Sequence, residues 1–246
     1  MNPILSRIGG ALAHWLGRSR HHHGVGRPTP TVLLARALSP GDVLLVEGDT
    51  RVSVAIKYLT QSTWSHAALF VGAPPQLGGA GDWLVEADLV EGVRFVPLAA
   101  YANYPTRICR PVGLADSDRV ALTDFAIKAI GHRYDLKNVV DLARYLLPTP
   151  PVPTRWRRRM IALGSGDPTR AICSSLIAEA FQSIGYPILP VDDDTVADCP
   201  DCAAERAHVR HHSLFTPRDF DVSPYFQVVK PTLEAGFDFH RIAWAE

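Results

Sequence analysis

The chain contains no apolar run of the roughly 20 residues needed to cross a bilayer, so no segment reads as a membrane-spanning helix. An excess of charge is missing too: 25 Lys and Arg balance 25 Asp and Glu. A neutral total exerts no global pull on nucleic acid or an anionic membrane. Nucleic acid is therefore not expected as a partner, and membrane contact would have to be local. Cysteine is scarce. Four of them (Cys109, Cys173, Cys199 and Cys202) in 246 residues do not make a disulfide framework, and a reducing, cytoplasmic compartment is the simpler setting. The continuous apolar core of a secretory signal is also lacking at the start, which argues against a periplasmic wall enzyme.

The first twenty residues hold an amphipathic pattern instead. Ile4, Leu5, Ile8, Leu12, Trp15 and Leu16 recur at helical spacing, with Arg7, Arg18 and Arg20 among them. Such a helix lies on a membrane surface or packs on the body of the protein. His21, His22 and His23 follow and are set apart from the site argument. Residues 24–40 carry prolines and glycines and read as a linker, so 1–40 is expected to be a helix and linker ahead of a domain at 41–246.

Within that domain, short strands are expected at 43–46, in WSHAALFVG ending at Gly72, in WLVEAD, in GVRFVPL and in TRICRPV, with a helix over 51–60. The second half turns helical. Residues 116–130 show Val120, Phe125, Ile127 and Ile130 in a helix-like pattern, and 136–147 show Leu136, Val139, Val140 and Leu147. The clearest helix is 172–184, with Leu176, Ile177, Ala180 and Phe181 on one side and Gly185 as its stop. An irregular insert follows at 186–212. Last strands are expected near 225–230 and 237–243. Strands first and helices later make an α+β protein.

Three residues carry the chemistry. Cys173 sits in the first turn of the best helix, where the unpaired N–H groups and helix dipole stabilise a thiolate. The plainer reading is a buried structural cysteine. His66 lies in an apolar strand, where an imidazole is costly to bury unless its nitrogens are bonded. It reads as a satisfied core histidine or as a general base for a thiol. Glu86, between Val85 and Ala87, is the candidate to orient that histidine, with Asp88 and Glu91 as weaker competitors.

The segments GDVLLVEGD, WSHAALFVG, VEAD, GHRYD, ICSSLIAEAF and TPRDFDVSPYF together resemble the circularly permuted NlpC-type papain-like hydrolases, and among these the YiiX/YebB-like bacterial group. The resemblance spans about residues 40–230. It implies an antiparallel sheet of four to six strands, or a half-barrel, packed against the nucleophile helix. In this branch the histidine strand precedes the cysteine helix, as His66, Glu86 and Cys173 do here. The resemblance also implies Cys173 as nucleophile, His66 as base, Glu86 as orienting residue and Tyr134 near the site. Ser65 and Ser174, small neighbours of His66 and Cys173, join Tyr134 as expected substrate contacts. The implied reaction is cleavage of an amide or ester through a thioester acyl-enzyme, by hydrolysis or acyl transfer, on a peptide amide or an acyl-lipid. It calls for no cofactor.

Two features stand outside that pattern. Cys199 and Cys202 have C-x-x-C spacing, with His208, His211 and His212 close behind. The spacing fits a zinc module in part, and a solvated loop is the default. Residues 155–159, RWRRR, read as a solvated basic face or as a phosphate contact. The alternatives to an enzyme are thus a catalytically silent binding domain of the same fold and a zinc module centred on the insert.

Overall fold

Aliphatic residues alternate between two buried environments along the strands, and this double burial sets the architecture. The computed structural model describes residues 26–88, 91–132, 172–189, 211–238 and 240. Six strands form one sheet: β1 (Val43–Val46), β2 (His66–Gly72), β3 (Trp83–Asp88), β4 (Gly92–Pro97), β5 (Thr106–Pro111) and β6 (Phe226–Val229). Their spatial order is β4-β3-β2-β1-β5-β6, and every neighbouring pair is antiparallel. The sheet stays open, with β4 and β6 as its edges. The helices are α1 (Thr31–Ala37), α2 (Arg51–Thr60), α3 (Asp116–Lys128), α4 (Ile172–Ser183), α5 (Pro217–Val222) and α6 (Pro231–Glu234).

Val43, Leu45, Ala67, Leu69, Val85, Ala87 and Cys109 line one face of the sheet. Leu44, Val46, Ala68, Phe70, Leu84, Val96 and Ile108 line the other. This is the period of two of a pleated strand, with both sides apolar. The first face takes α2 through Val52 and Ile56, α3 through Leu122 and Ala126, and α4 through Leu176, Ile177 and Phe181. Phe181, fully buried, stacks with Phe220, Phe226 and Tyr186 at centroid distances of 6.3, 5.1 and 5.4 Å. On α3 the buried residues are Leu122, Thr123 and Ala126, and Val120 is 59% exposed. Of the expected stripe, Phe125, Ile127 and Ile130 pack against this core, and Val120 turns away from it.

The linker reading of 24–40 also needs correction. Pro28 and Pro30 precede α1, as proline often does at a helix start, rather than marking loose chain. Leu34, Ala37 and Leu38 are buried on the second face of the sheet. The carboxylate of Asp42, fully buried, ties this helix down. Its Oδ2 accepts from Ser39 N at 2.8 Å and from Arg110 Nη2 at 2.7 Å, and Arg110 Nη2 also donates to the last carbonyl of α1, at Ala37. Burial pushes the Asp42 pKa up, and the bonds to Arg110 and Ser39 pull against that.

The strand expected at 237–243 is not formed at 237 or 238, and 241–246 lies outside the described residues. So do residues 1–25, the helix expected at 136–147, the basic run at 155–159, and Cys199, Cys202 and His208. His211 and His212 are described, and their rings lie 4.2 Å apart at a short 3-10 helix, His212–Leu214.

If α1 belongs to the folded core, Leu34→Ala should lower stability by about 2–5 kcal/mol, the usual cost of emptying a buried leucine site. Urea unfolding of the full chain measures this. A loss of less than ~0.5 kcal/mol, typical of a surface site, would return the segment to linker status.

Candidate active site

His66 is the first residue of β2, paired with Val46 of β1, and its side chain is 24% exposed. Val46 lines the α1 face of the sheet, so the imidazole emerges on that side. Glu86 lies between Val85 and Ala87, which face α4, and its own side chain therefore points the same way as His66. Arg94 sits directly opposite Glu86 on β4. A short 3-10 helix, Leu98–Tyr101, follows β4 and turns Tyr101 under the same carboxylate.

The four side chains form one network. Glu86 Oε2 takes His66 Nε2 at 2.5 Å and the Tyr101 hydroxyl at 2.5 Å. Glu86 Oε1 takes Arg94 Nε at 2.9 Å and Nη2 at 2.8 Å. Arg94 is steadied in turn by Glu91. Tyr101 is 7% exposed and Glu86 5%. Burial on its own would raise the Glu86 pKa. The hydrogen bonds and charges of His66, Tyr101 and Arg94 outweigh that and hold it at about 2.

An ionised carboxylate only accepts hydrogen bonds, so Nε2 of His66 carries the proton that faces it. Basicity is then placed on Nδ1, and a second proton on the ring is stabilised by the buried negative charge. Of the three acids near the histidine, Glu86 is the one bonded to its ring. Asp88 Oδ1 accepts from Glu91 N in the turn at 2.9 Å, and Glu91 serves Arg94.

Cys173 lies in the first turn of α4, and its side chain is outside what the structure describes, as is all of Tyr134. The position of the helix can still be traced. Beyond its C-terminal end, the Tyr186 hydroxyl donates to Val112 O at 2.9 Å and Tyr225 O at 2.6 Å, at the far end of β5 and β6. At its first turn, Ser174 Oγ donates to Phe215 O at 2.8 Å. The α5 helix that follows Phe215 sends Asp221 to Trp64, whose Nε1 donates to Oδ2 at 3.0 Å, two residues before His66. These bonds direct the first turn of α4 toward the His66 end of the sheet. The helix packs on the face opposite the imidazole, and His66 is the terminal residue of β2.

Ser65 and Ser174, expected to touch substrate, have framework roles. Ser65 is 2% exposed, and its Oγ accepts from Gly48 N at 2.9 Å. A side chain at Gly48 would press on Ser53 and come within 3.0 Å of that oxygen, so the close approach needs glycine. Ser174 is fully buried on its bond to Phe215. Sequence reasoning missed Tyr101 and Arg94. The hairpin register, Asp88 opposite Gly92, places Arg94 across from Glu86 and was readable in principle. Nothing in the local pattern around Tyr101 marks it.

The described residues thus combine an open antiparallel sheet, a late helix packed on it, and a His–Glu pair on adjacent strands. Residues 37–145 match the family described as permuted papain-like amidase enzyme, YaeF/YiiX, C92 family, a stretch that holds His66 and Glu86 and ends before Cys173. The chain is 21% identical over 203 residues to the probable lipoprotein peptidase YaeF of Escherichia coli strain K12, covering 76% of this chain and 71% of that protein. It is also similar to the crystal structure of metalloprotein YiiX from Escherichia coli O157:H7, with 17% identity, a TM-score of 0.49, and coverage of 79% of this chain and 97% of that one.

Because Glu86 titrates near 2 in the folded chain, against 4.5 ordinarily, its ionised form stabilises the fold fully above about pH 4.5, and that contribution is lost as pH falls toward 2. Melting temperature measured from pH 7 to 2 should therefore fall in the wild type across that window. Glu86→Gln should start lower at pH 7 and lose most of that slope. Tyr101→Phe should cost about 1.5–3 kcal/mol, the worth of a hydrogen bond to a charged group.

Proposed function

We propose that this protein is a cysteine amidase in which Cys173 attacks a carbonyl, His66 serves as base and then acid, and Glu86 orients the imidazole. The observation that carries the reading is the buried, ionised carboxylate on His66 Nε2, at 2.5 Å. With Nε2 held there, Nδ1 takes the thiol proton. The thiolate adds to the amide carbon, and the first N–H groups of α4, that of Cys173 among them, stabilise the oxyanion. The protonated ring gives its proton to the departing amine and leaves a thioester, which water then cleaves. Tyr101 and Arg94 are positioning residues that act through Glu86.

The match to a family of amidases and to a probable peptidase supports an amide over an ester, and a peptide amide over an acyl-lipid. Transfer to an acceptor other than water, and action on acyl-lipids, would follow the same thioester. The proposed setting is a bacterial cytoplasm, with the amphipathic pattern of residues 1–20 as the proposed contact with a membrane surface. Among the described residues no helix is long and apolar enough to cross one.

Iodoacetamide alkylation across pH, read by peptide mass spectrometry for each cysteine, tests the reading. Cys173 should react quickly below pH 7 and slow at least tenfold in His66→Ala. Cys109 should stay inert throughout, because it is fully buried and burial pushes its thiol up to about 12. If Cys173 titrates like an ordinary thiol near 8.5 and ignores the His66 change, the enzyme reading fails and a silent binding domain replaces it.

A further inference from the structure

At the His66 end of the sheet, on the side covered by α2 and α5, lies a cavity of about 600 Å³. Three cations reach it: Lys57 from the last turn of α2, Arg107 from the start of β5, and Arg218 from α5. Two carboxylates face them. Glu47 Oε1 lies 3.4 Å from Lys57 Nζ, and Asp221 Oδ1 lies 2.6 Å from Arg107 Nη1. Three positive groups against two negative ones leave the cavity with one positive charge in excess.

The surplus is placed at Arg218. Its Nη1 donates to the Thr60 carbonyl at 3.1 Å, a bond that fixes the guanidinium without cancelling its charge, and no carboxylate among the described residues pairs with it. Arg107 is equally constrained. Its guanidinium carbon lies 4.9 Å from the centroid of the Trp64 ring, and Asp221 bonds both the guanidinium and the indole N–H. Two guanidinium groups held in place around a concave space can give forked donors to an oxyanion with little ordering cost.

The location gives the cavity its use. Trp64 lies two residues before His66, roughly 7 Å along an extended chain. The cavity shares the α4 side of the sheet, and Trp64 in its lining stands at the end where β2 begins with His66. We infer that this cavity is a substrate subsite that binds an oxyanion, a carboxylate or a phosphate, carried by the molecule whose amide is cleaved. The inference rests on His66 being the base of the proposed amidase.

The Trp64 indole N–H resonance of the full-length, 15N-labelled protein reports on the cavity directly. It is followed during titration with acetate, with inorganic phosphate, and with sodium chloride at matched ionic strength. A saturable shift with acetate or phosphate and none with chloride is expected. Saturation by acetate alone assigns a carboxylate, and saturation by phosphate alone assigns a phosphate group. Apparent affinity should fall at least fivefold in Arg218→Gln, whose side chain is exposed and outside the core, and in Arg107→Gln. A shift that merely tracks ionic strength, or that is unchanged in Arg218→Gln, overturns the subsite. Alkylation of Cys173 in the same samples separates the two readings. An anion-binding cavity beside an unactivated Cys173 sinks the amidase and spares the cavity, and an activated Cys173 without saturable binding sinks the subsite alone.

Discussion

A single buried carboxylate, that of Glu86, organises the site. Leaving an ionised carboxylate out of water is costly unless its lone pairs are satisfied. Here four donor contacts are brought from three further elements: β2 supplies His66, β4 supplies Arg94, and the turn after β4 supplies Tyr101. The charge is thus a packing constraint as well as a chemical one. It requires β2, β3 and β4 to keep their register, because a slip of one residue would send Glu86 to the opposite face of the sheet, among Val85 and Ala87. The same constraint sets the protonation of His66, so the geometry of the sheet and the chemistry of the ring are linked through one group.

The two faces of the sheet divide the labour. One face holds the orienting network, under α1 and the Tyr101 turn; the other holds the helices, among them the one that carries Cys173. Trp64, Asp221 and Arg107 brace the His66 end of β2, with Asp221 as the shared acceptor, and Ser65 with Gly48 fixes the backbone just before His66. Residues that look like spectators in the sequence around the histidine thus fix the chain on which it is mounted.

Much of this was legible in the residues. Strands such as WLVEAD and HAALFVG are short and rich in apolar residues, with a glycine near one end of each, so their limits were readable to within a residue or two. His66 and Glu86 stood out because polar groups inside such strands need a partner. What stayed hidden depends on pairing across space. Arg94 looks like an ordinary surface cation until the hairpin register sets it opposite Glu86, and Tyr101 reaches the carboxylate by way of a short turn without periodicity. The segment 24–40 misled because prolines that start a helix and prolines that break one are the same letters; only the burial of Leu34 and the Asp42–Arg110 pair tell them apart.

The order of the elements has a consequence in time. Five of the six strands, with His66, Glu86, Arg94 and Tyr101, lie within residues 43–111; β1 to β4 pair each with the next, and β5 returns beside β1. The helix bearing Cys173 begins at residue 172, and the edge strand β6 at 226. Chains are made at roughly 5–20 residues per second, and their N-terminal parts can fold first. The orienting network can therefore assemble on the ribosome seconds before the thiol is synthesised. A chain ordered in this way makes the thiol of Cys173 after every group that surrounds the Glu86 carboxylate is already in place.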